Sequence, residues 1–289
     1  MIYGAGQAGE MAASWLPGGY ELQAFVDGNE LKKGSTILGV PVLSPKEAFG
    51  VSDRHPDLLY LCVINREAAE EIRRTIVSYG FRGMIVEVPA LRGIMDIRLS
   101  FLRLISREIR ENGTEGDLAE LGVYRGDFAR ELNALFPDRD LLLFDTFEGF
   151  DEKDLRIEKE KAADGRNARA ERGDFGDTSI EIVRNNLPHP EKAFFIKGRF
   201  PESLSLCPQH RAEDRNYCLV SLDTDLYEPT LEGLRFFCTR LSHGGVILIH
   251  DYNSSQYPGV KRAVRTFAAE TAIRVMPLMD LHGTAVVFL

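Results

Sequence analysis

The sequence lacks long hydrophobic runs. No stretch of the 289 residues approaches the roughly 18 consecutive apolar residues that a membrane-spanning helix needs. The first residues also lack a charged segment followed by an apolar stretch and a small-residue cleavage site, which together mark a secretory signal. We therefore expect a cytoplasmic protein that neither spans nor binds a membrane.

Cysteine is scarce. The chain has four cysteines, and no two of them have the CxxC spacing of a zinc or redox site. A chain of this length does not depend on disulfides to compensate for a small core. We expect reduced thiols, most of them core residues, at Cys62, Cys207, Cys218 and Cys238.

An excess of positive charge is also absent. The chain carries 35 Lys and Arg against 44 Asp and Glu, a net charge of -9 with a pI near 5.3. This balance excludes non-specific binding to nucleic acid and favours small neutral or cationic ligands. The 44% hydrophobic and 27% charged residues are typical of a folded chain. The length predicts two domains. Assembly into a homo-oligomer is an open alternative to a monomer.

Three closely spaced glycines stand near the N-terminus. Gly4, Gly6 and Gly9 form a GxGxxG motif between an apolar stub and a helical pattern. In nucleotide-binding βαβ units such glycines allow a tight turn and a close approach of backbone to phosphate. Asp27 follows the next apolar segment, where an acid can accept hydrogen bonds from a ribose. These four residues predict a nucleotide site, and the alternative is that the glycines serve packing alone.

The same segment resembles a known domain. On the stretches GAGQAG, FVDGN and ILGVPVLSPKEA, it is similar to the small Rossmann-like domain at the front of bacterial sugar-nucleotide acyltransferases. This resemblance implies a parallel α/β domain over residues 1–92 with a sugar-nucleotide or dinucleotide as ligand. We expect a boundary between residues 90 and 97.

A second glycine turn follows at the end of another apolar strand. Glu120, Gly122 and Gly126 form an ExGxxxG pattern between a strand at residues 117–121 and a helical run at 127–136. An acid beside the turn can orient the ammonium group of S-adenosylmethionine, while backbone amides donate to its carboxylate. Asp145 ends the next strand, where it can hold ribose hydroxyls. The alternative is an ordinary strand-to-helix turn.

Strand and helix patterns then alternate to the C-terminus. Predicted strands at 194–197, 218–223 and 246–250 alternate with helices, which indicates a parallel sheet. Two last strands, 273–279 and 284–289, are separated by a short turn and must run antiparallel to each other. The predicted second domain, residues 97–289, therefore matches the seven-stranded α/β sheet of class I methyltransferases.

Acids and a histidine follow two of these strands. Asp223 and Asp225 come after one strand, and His250 and Asp251 end the next. The carboxyl ends of parallel strands meet at one rim, so these groups can converge on a divalent cation, Mg²⁺ first and Mn²⁺ second. The alternatives are solvated acids or helix caps, and a buried strand-end position for His250.

The second half resembles the macrocin O-methyltransferase family. The resemblance rests on GDLAELGVYRGDFA, LLLFDTFEGF, DFGDTS, FIKGRFPESL, VSLDTDLYEPTLEGLRFF, GGVILIHDYNS and PGVKRAV. It implies methylation of hydroxyls on sugars of natural products, with S-adenosylmethionine and magnesium. By this likeness Glu120, Gly122 and Asp145 bind S-adenosylmethionine, Asp223 and Asp251 bind the metal, and Asp223 or Asp225 serves proton removal. Apart from the likeness, we name His250 as a further candidate metal ligand or catalytic base. The further candidate cofactor residues are Tyr124, Gly126, Thr146, Phe147, Gly198, Arg199 and Phe200.

Two features near this site need a structure to decide them. His250 stands where family members can present a second acid, and imidazole suits manganese, iron, nickel or zinc better than magnesium. The charged stretch 151–176 is either a lid over the cofactor or a solvated surface segment. Phe200 is a candidate to stack on adenine and Arg199 to meet substrate charge, and for each the alternative is a structural role. Tyr252, Asp280 and His282 are candidates to line the acceptor pocket.

Two other classes of function stay open for the whole chain. One is a nucleotide-sugar binding protein whose second half keeps the methyltransferase fold without catalysis. The other is an NAD-dependent sugar-nucleotide enzyme that uses the first glycine motif, although no YxxxK pair accompanies it.

Overall fold

The structure is a computed structural model that describes residues 1–50, 55–162, 168–281 and 283–288. The chain divides into two compact units. The front unit comprises Met1–Ile97 with Met279–Leu281, and the second comprises Arg98–Leu278 with the C-terminal strand. None of the helices within the described ranges is both long enough and apolar enough to cross a membrane.

The front unit is a six-stranded α/β sheet. Its strands are β1 (Ile2–Tyr3), β2 (Phe25–Val26), β3 (Thr36–Ile37), β4 (Val40–Leu43), β5 (Leu58–Leu61) and β6 (Met84–Glu87). Its helices are α1 (Gln7–Ala12), α2 (Pro45–Phe49), α3 (Arg66–Ser78) and α4 (Val88–Ile94). The strand order is β3-β4-β2-β1-β5-β6, and every pair except β3 with β4 is parallel.

Local sequence explains where the front helices begin. The Ser44 hydroxyl accepts from the Glu47 backbone amide (3.3 Å), and the Glu47 carboxylate accepts from the Ser44 amide (2.9 Å), which is a capping box ahead of Pro45. Asn65 caps α3 through the amide of Ala68 (2.9 Å). Pro89 lies in the first turn of α4, directly after β6, where its missing N–H costs no helical bond.

The second unit is a seven-stranded sheet with helices on both faces. Its strands are β7 (Asp117–Leu121), β8 (Leu141–Asp145), β9 (Ala193–Lys197), β10 (Tyr217–Leu222), β11 (Leu241–Ile249), β12 (Arg274–Pro277) and β13 (Ala285–Phe288). Its helices are α5 (Ile97–Glu111), α6 (Asp127–Leu135), α7 (Glu152–Glu160), α8 (Ile180–Asn186), α9 (Ser203–Leu206), α10 (Tyr227–Cys238) and α11 (Pro258–Glu270).

The order of this sheet is β12-β13-β11-β10-β7-β8-β9, and β13 runs antiparallel to both of its neighbours. The predicted sheet and the antiparallel pair at its end are confirmed. Every residue of the central strand β10 is buried, as a strand covered on both faces must be. The carboxyl ends of β7, β8, β10 and β11 therefore meet at one rim.

Candidate active site

The glycine turn after β7 lies directly against the end of β10. Gly122 has a φ of +85°, and a Cβ built on it would lie 2.0 Å from the carbonyl oxygen of Asp223. No other residue fits this position without moving the backbone. Gly126, with a φ of +80°, is packed against Val183 of α8 in the same way, with 2.8 Å to that side chain. Both glycines are needed to bring the turn to the rim.

Glu120 is a buried acid at this turn. The residue is only 1% exposed, and its Oε1 accepts a hydrogen bond from Ser221 Oγ (3.3 Å). Its Oε2 is buried without a hydrogen-bond partner. Burial first, and then the nearby Asp223 carboxylate, raise the pKa of Glu120 well above its usual range. The site thus holds one acceptor that the described residues leave unsatisfied.

Asp145 organises the turn from the end of β8. Its Oδ2 accepts from the backbone amides of Val123 (2.6 Å) and Tyr124 (3.0 Å), and its Oδ1 accepts from the amide of Phe147 (2.7 Å). Thr146 donates from its hydroxyl to the carbonyl of Gly149 (2.6 Å). These contacts bring Val123, Tyr124 and Phe147 around Asp145, and most of the hydrogen bonds that Asp145 can accept come from the loop itself.

Four side chains after β10 and β11 converge as predicted. One ligand atom from each of Asp223, Asp225, His250 and Asp251 can be chosen so that all lie within 4.8 Å of one another. His250 Nδ1 lies 2.5 Å from Asp251 Oδ2 and 3.0 Å from Asp223 Oδ1. Asp225 and Asp251 both have left-handed φ values, of 60° and 56°, which are strained for these residues and typical of functional sites.

The charges in this cluster are unbalanced. Burial alone would lower the pKa of His250, but the Asp223 carboxylate outweighs it and raises that pKa. Burial would raise the pKa of Asp223, but His250 and Arg98 hold it below its usual range. Asp225 is left with a pKa raised by burial and by Asp223 and Asp251. The described cluster thus contains more carboxylate than its own cations neutralise.

Arg98 is a site residue that sequence reasoning missed. It is 7% exposed, donates from Nη1 and Nη2 to Asp223 Oδ2 (3.2 and 3.3 Å), and places its guanidinium 3.8 Å from the centre of the Phe128 ring. Leu104 of the same helix, α5, is 60% exposed although it is apolar. The buried positions are Arg98, Leu102, Ser106 and Ile109. The sequence signal for Arg98 was a single cationic residue at the helical spacing of these buried positions.

The residues after β9 are not where the sequence suggested. Phe200 is 3% exposed and packs in the core against Phe144 and Phe237, with ring centroids 5.7 and 6.2 Å away. The expectation that it stacks on adenine is therefore corrected. Gly198, with a φ of +133°, donates its amide to the carbonyl of Asp145 (2.9 Å) and so supports the β8 end.

Arg199 is likewise engaged within the protein. It donates from Nε to Asp154 of α7 (2.9 Å) and from Nη1 to Glu202 (2.5 Å), and its side chain is 10% exposed. A role in binding the cofactor does not fit these contacts. The physical reason is that Asp154 is buried and needs a cation, and burial raises its pKa to about 6 despite Arg199.

Helix α7, at the start of the charged stretch 151–176, is attached to the second unit by buried acids, so the solvated alternative is wrong for this helix, whereas residues 171–176 are exposed. Glu158 is 2% exposed, its Oε2 accepts from the Tyr227 backbone amide (2.8 Å), and its Oε1 accepts from Arg262. Buried carboxylates rather than an apolar stripe hold this helix, so hydrophobic periodicity did not reveal it. Residues 163–167 of the same stretch lie outside the described ranges.

The proposed acceptor-pocket residues are not all described. Tyr252 is half-buried under the ammonium of Lys261, which lies 5.0 Å from its ring centre. Asp280 is 2% exposed and clusters with the front unit. His282 lies outside the described residues.

In the front unit, the four predicted nucleotide residues surround the ends of β1 and β2. Gly4 has a φ of +108°, and a Cβ on Gly9 would lie 2.0 Å from the Gly4 carbonyl, so both glycines serve close packing. A Cβ on Gly6 would lie 3.9 Å from Lys32 Nζ. Asp27 accepts from the Ala5 amide (2.9 Å) and from Lys32 (2.9 Å).

The fold and this rim define a class of protein. The second unit has the class I S-adenosylmethionine-dependent methyltransferase fold. Its seven-stranded sheet has one strand, β13, that runs antiparallel to its neighbours. A glycine turn follows β7, which carries Glu120 near its end, and the next strand, β8, ends in Asp145. More particularly, a sequence model of the macrocin O-methyltransferase family matches residues 46–289, and the chain belongs to that family. The predicted family and enzyme class, O-methyltransferase, are confirmed.

Curated relatives and solved structures agree. The chain is 29% identical over 199 residues to the 8-demethyl-8-(2,3-dimethoxy-alpha-L-rhamnosyl)-tetracenomycin-C 4'-O-methyltransferase of Streptomyces olivaceus, covering 65% of this chain and 71% of that protein. It is 28% identical to the demethyldecarbamoylnovobiocin O-methyltransferase of Streptomyces niveus, covering 60% and 66%. The structure of the O-methyltransferase NovP superposes with a TM-score of 0.53 at 25% identity, covering 65% and 78%. The calicheamicin methyltransferase CalS11 is similar in fold, with a TM-score of 0.51 at 19% identity over 84% and 89%.

Proposed function

We propose that the protein transfers a methyl group from S-adenosylmethionine to a hydroxyl of a sugar or glycosylated small molecule, with the help of a divalent cation. The observation that carries the proposal is the convergence of Asp223, Asp225, His250 and Asp251 beside the glycine turn. The relatives support the sugar as acceptor, because one of them is named for methylating a rhamnosyl group.

The residues at the turn fit S-adenosylmethionine. The unpartnered Oε2 of Glu120 is an acceptor for the ligand's ammonium group, and it is buried where a hydrogen bond to a charged group is strong. The Asp145 carboxylate fixes the amides of Val123 and Tyr124, so the turn is shaped before the ligand arrives. Pre-organisation of this kind lowers the cost of ordering on binding.

The donor set fits a hard divalent cation that binds carboxylate oxygens and accepts one nitrogen ligand. Three carboxylates favour Mg²⁺, while the imidazole of His250 makes Mn²⁺ a good alternative. Counting Arg98 with the cluster, and taking His250 as neutral, the three carboxylates exceed the one cation by two charges. A divalent cation would balance that excess.

The side chains divide the chemistry between them. S-adenosylmethionine supplies an electrophilic methyl group on its sulfonium, and a bound cation makes a coordinated hydroxyl more acidic. Asp223 already faces Arg98 with one oxygen and His250 with the other, so it serves as a ligand and is a poor base. Asp225 remains to take the acceptor's proton, and no covalent enzyme intermediate is required.

Calorimetric titration tests this function. Saturable binding of S-adenosylmethionine, together with binding of Mn²⁺ or Mg²⁺ that is lost in Asp251→Asn, supports the proposal. The exposed Asp138→Asn is the matched control, since Asp138 pairs only at the surface with Arg110. An unaltered cation affinity in Asp251→Asn contradicts the assigned metal site, and no binding of S-adenosylmethionine under any condition contradicts the function.

A second candidate activity belongs to the front unit, residues 1–92: we propose that it binds the nucleoside part of a nucleotide or sugar-nucleotide. A cavity of about 480 Å³ lies at the ends of β1, β2 and β5, lined by Tyr3, Gly4, Asp27, Gly28 and, from α3, Ala68. Chain crossovers diverge between β1 and β5, and ligands of open α/β sheets favour such a switch point. No observation favours hydride transfer over simple binding.

Titration with UDP-glucose and with fluorescent NADH tests that proposal without interference from the methyl donor's site. We expect one of the two to bind, and Ala68→Phe, which fills the cavity, to abolish the binding. Failure of both ligands at millimolar concentration would mean that Gly4, Gly6 and Gly9 serve packing alone.

A further inference from the structure

Glu158 of α7 contacts the first turns of two other helices. Its Oε2 accepts from the backbone amide of Tyr227, the first residue of α10, at 2.8 Å. A Cβ built on Gly259, in the first turn of α11, would lie 2.1 Å from the same oxygen, so the carboxylate fills the space beside that glycine. Its Oε1 accepts from Arg262 in the next turn of α11. One buried carboxylate thus joins three helices.

Neither α10 nor α11 is capped by the residue that precedes it. Leu226 and Tyr257 make no side-chain hydrogen bond to the first turn of their helices. The first amides of a helix have no partner within the helix, and their partial positive charge favours a carboxylate nearby. For α10, Glu158 supplies the acceptor that Leu226 cannot offer.

These two helices follow the two loops that carry the proposed metal ligands. Asp225 lies two residues before Tyr227, and its left-handed φ of 60° must be held by the contacts around it. Asp251 is also left-handed, with a φ of 56°. Ser254 connects it to α11, because the Ser254 amide donates to the Asp251 carbonyl (2.9 Å) and Ser254 Oγ accepts from the Tyr257 amide (3.2 Å). The α7 carboxylate therefore fixes the far end of both loops.

Helix α7 itself is attached by few apolar contacts. Its buried residues are Asp154 and Glu158, both acids, and its other residues are half-buried or exposed. Asp154 pairs with Arg199, which is the second ion pair that attaches the helix. A helix with little buried apolar surface opens at a lower cost than the core elements around it. The docking of α7 can therefore change while the sheet stays folded.

We propose that Glu158 is a positioning residue for the metal site: docked α7 holds the loop after β10 and the loop after β11 in the arrangement that binds a divalent cation. This rests on the proposed function and deepens it, because it makes α7 a determinant of cation affinity. Coupling between two binding events is reciprocal, so a bound cation must in turn hold α7 in its docked position.

Hydrogen exchange in the wild-type protein tests the coupling without a mutation. Binding of Mn²⁺ is measured by the EPR signal of the free ion, and amide exchange is followed by mass spectrometry with and without saturating Mn²⁺. We expect exchange in α7 to slow by about 5- to 150-fold, the usual range of coupling between two sites, and by more than in α8, which packs against α6. Exchange in α7 that Mn²⁺ slows no more than that in α8 overturns the proposal.

Two variants of different kinds assign the coupling to Glu158. Glu158→Gln removes the charge, whereas Gly259→Ala keeps it and places a Cβ where the carboxylate lies, although alanine is the better helix former. Both should weaken Mn²⁺ binding by about 5- to 150-fold, and the exposed Glu160→Gln on the same helix should leave it unchanged. Wild-type Mn²⁺ affinity in Glu158→Gln overturns the assignment to Glu158.

The outcomes separate this inference from the proposed function. If the wild-type protein binds no Mn²⁺, the metal site of the proposed function fails and this inference fails with it. If it binds Mn²⁺ and exchange in α7 is unaltered, the metal site stands and the role of Glu158 fails. Because the wild-type comparison decides the second point, a variant that does not fold leaves the test intact.

Discussion

The Asp145 carboxylate holds the backbone of Val123 in place: Asp145 Oδ2 accepts the Val123 amide at 2.6 Å, across the gap between two neighbouring strand ends. The same oxygen accepts the Tyr124 amide at 3.0 Å. One acid thereby fixes the first half of the glycine turn. The contacts of Asp145 are with the loop, so under the proposed function it acts on cofactor binding by ordering the loop.

Asp145→Asn is expected to weaken both stability and cofactor binding. The amide must direct its NH₂ group either at the Val123 and Tyr124 amides or at the Phe147 amide, so a donor faces a donor in each orientation. Loss of a buried hydrogen-bond partner costs about 1–3 kcal/mol. Urea denaturation and titration with S-adenosylhomocysteine measure the two effects, and Asp138→Asn at the surface should change neither. Full affinity in Asp145→Asn would refute this role.

Gly122→Ala should prevent normal folding of the rim. The new Cβ would lie 2.0 Å from the Asp223 carbonyl, so the ends of β7 and β10 would have to separate. Gly113→Ala is the matched control, because Gly113 also has a positive φ, of 62°, but has nothing within 4 Å of a built Cβ. We expect the control to cost about 1–2 kcal/mol from backbone strain alone. Thermal melting measures both, and equal losses would contradict the steric argument.

Much of this second unit follows from sequence. Strand ends, the glycine turn and the acids Glu120, Asp145, Asp223 and Asp251 could be predicted, because alternation and spacing determine which residues reach the rim. The direction of a side chain in a loop is not encoded in that way. Phe200 follows β9 just as the site acids follow their strands, yet it turns inward to the aromatic core.

Charged residues caused the other errors. Arg98 and Glu158 are buried because each has a specific partner of opposite charge, Asp223 and Arg262 respectively. Hydrophobic periodicity assigns such residues to solvent, since pairing across distant parts of the chain is invisible in a helical pattern. The cluster of Asp223, Asp225, His250 and Asp251 was easier to predict from sequence, because positions at the ends of neighbouring strands are enough to bring these side chains together.

Glu158→Gln is expected to loosen α7. The substitution removes the charge opposite Arg262 in a place where the acid is 2% exposed. Breaking one side of a buried ion pair costs about 3–5 kcal/mol, so the midpoint of urea unfolding should fall clearly. Glu160→Gln on the same helix removes an exposed acid that lies 4.0 Å from Arg156 and should cost less than about 1 kcal/mol. Similar midpoints for the two variants would mean that α7 is not attached through Glu158.

The four thiols should differ in reactivity. Burial raises the pKa of Cys62 and of Cys238 to about 12, and that of Cys218 is also raised, whereas Cys207 is only half-buried. Because the thiolate is the reactive form, Cys207 should be alkylated first at pH 8. Mass spectrometry after timed iodoacetamide treatment identifies the site, and Cys207→Ser should remove the fast phase. Early labelling of Cys62 would contradict its burial.

Methyl transfer itself tests the central claim most directly. The protein is incubated with S-adenosylmethionine bearing a deuterated methyl group, with Mg²⁺ or Mn²⁺, and with a panel of rhamnosides and sugar-nucleotides, and products are detected by mass spectrometry. We predict a labelled O-methyl sugar whose formation stops when a chelator is added and in Asp251→Asn. Labelled product that forms equally well with chelator would contradict the metal site, and the absence of product from every sugar would contradict the sugar-hydroxyl acceptor.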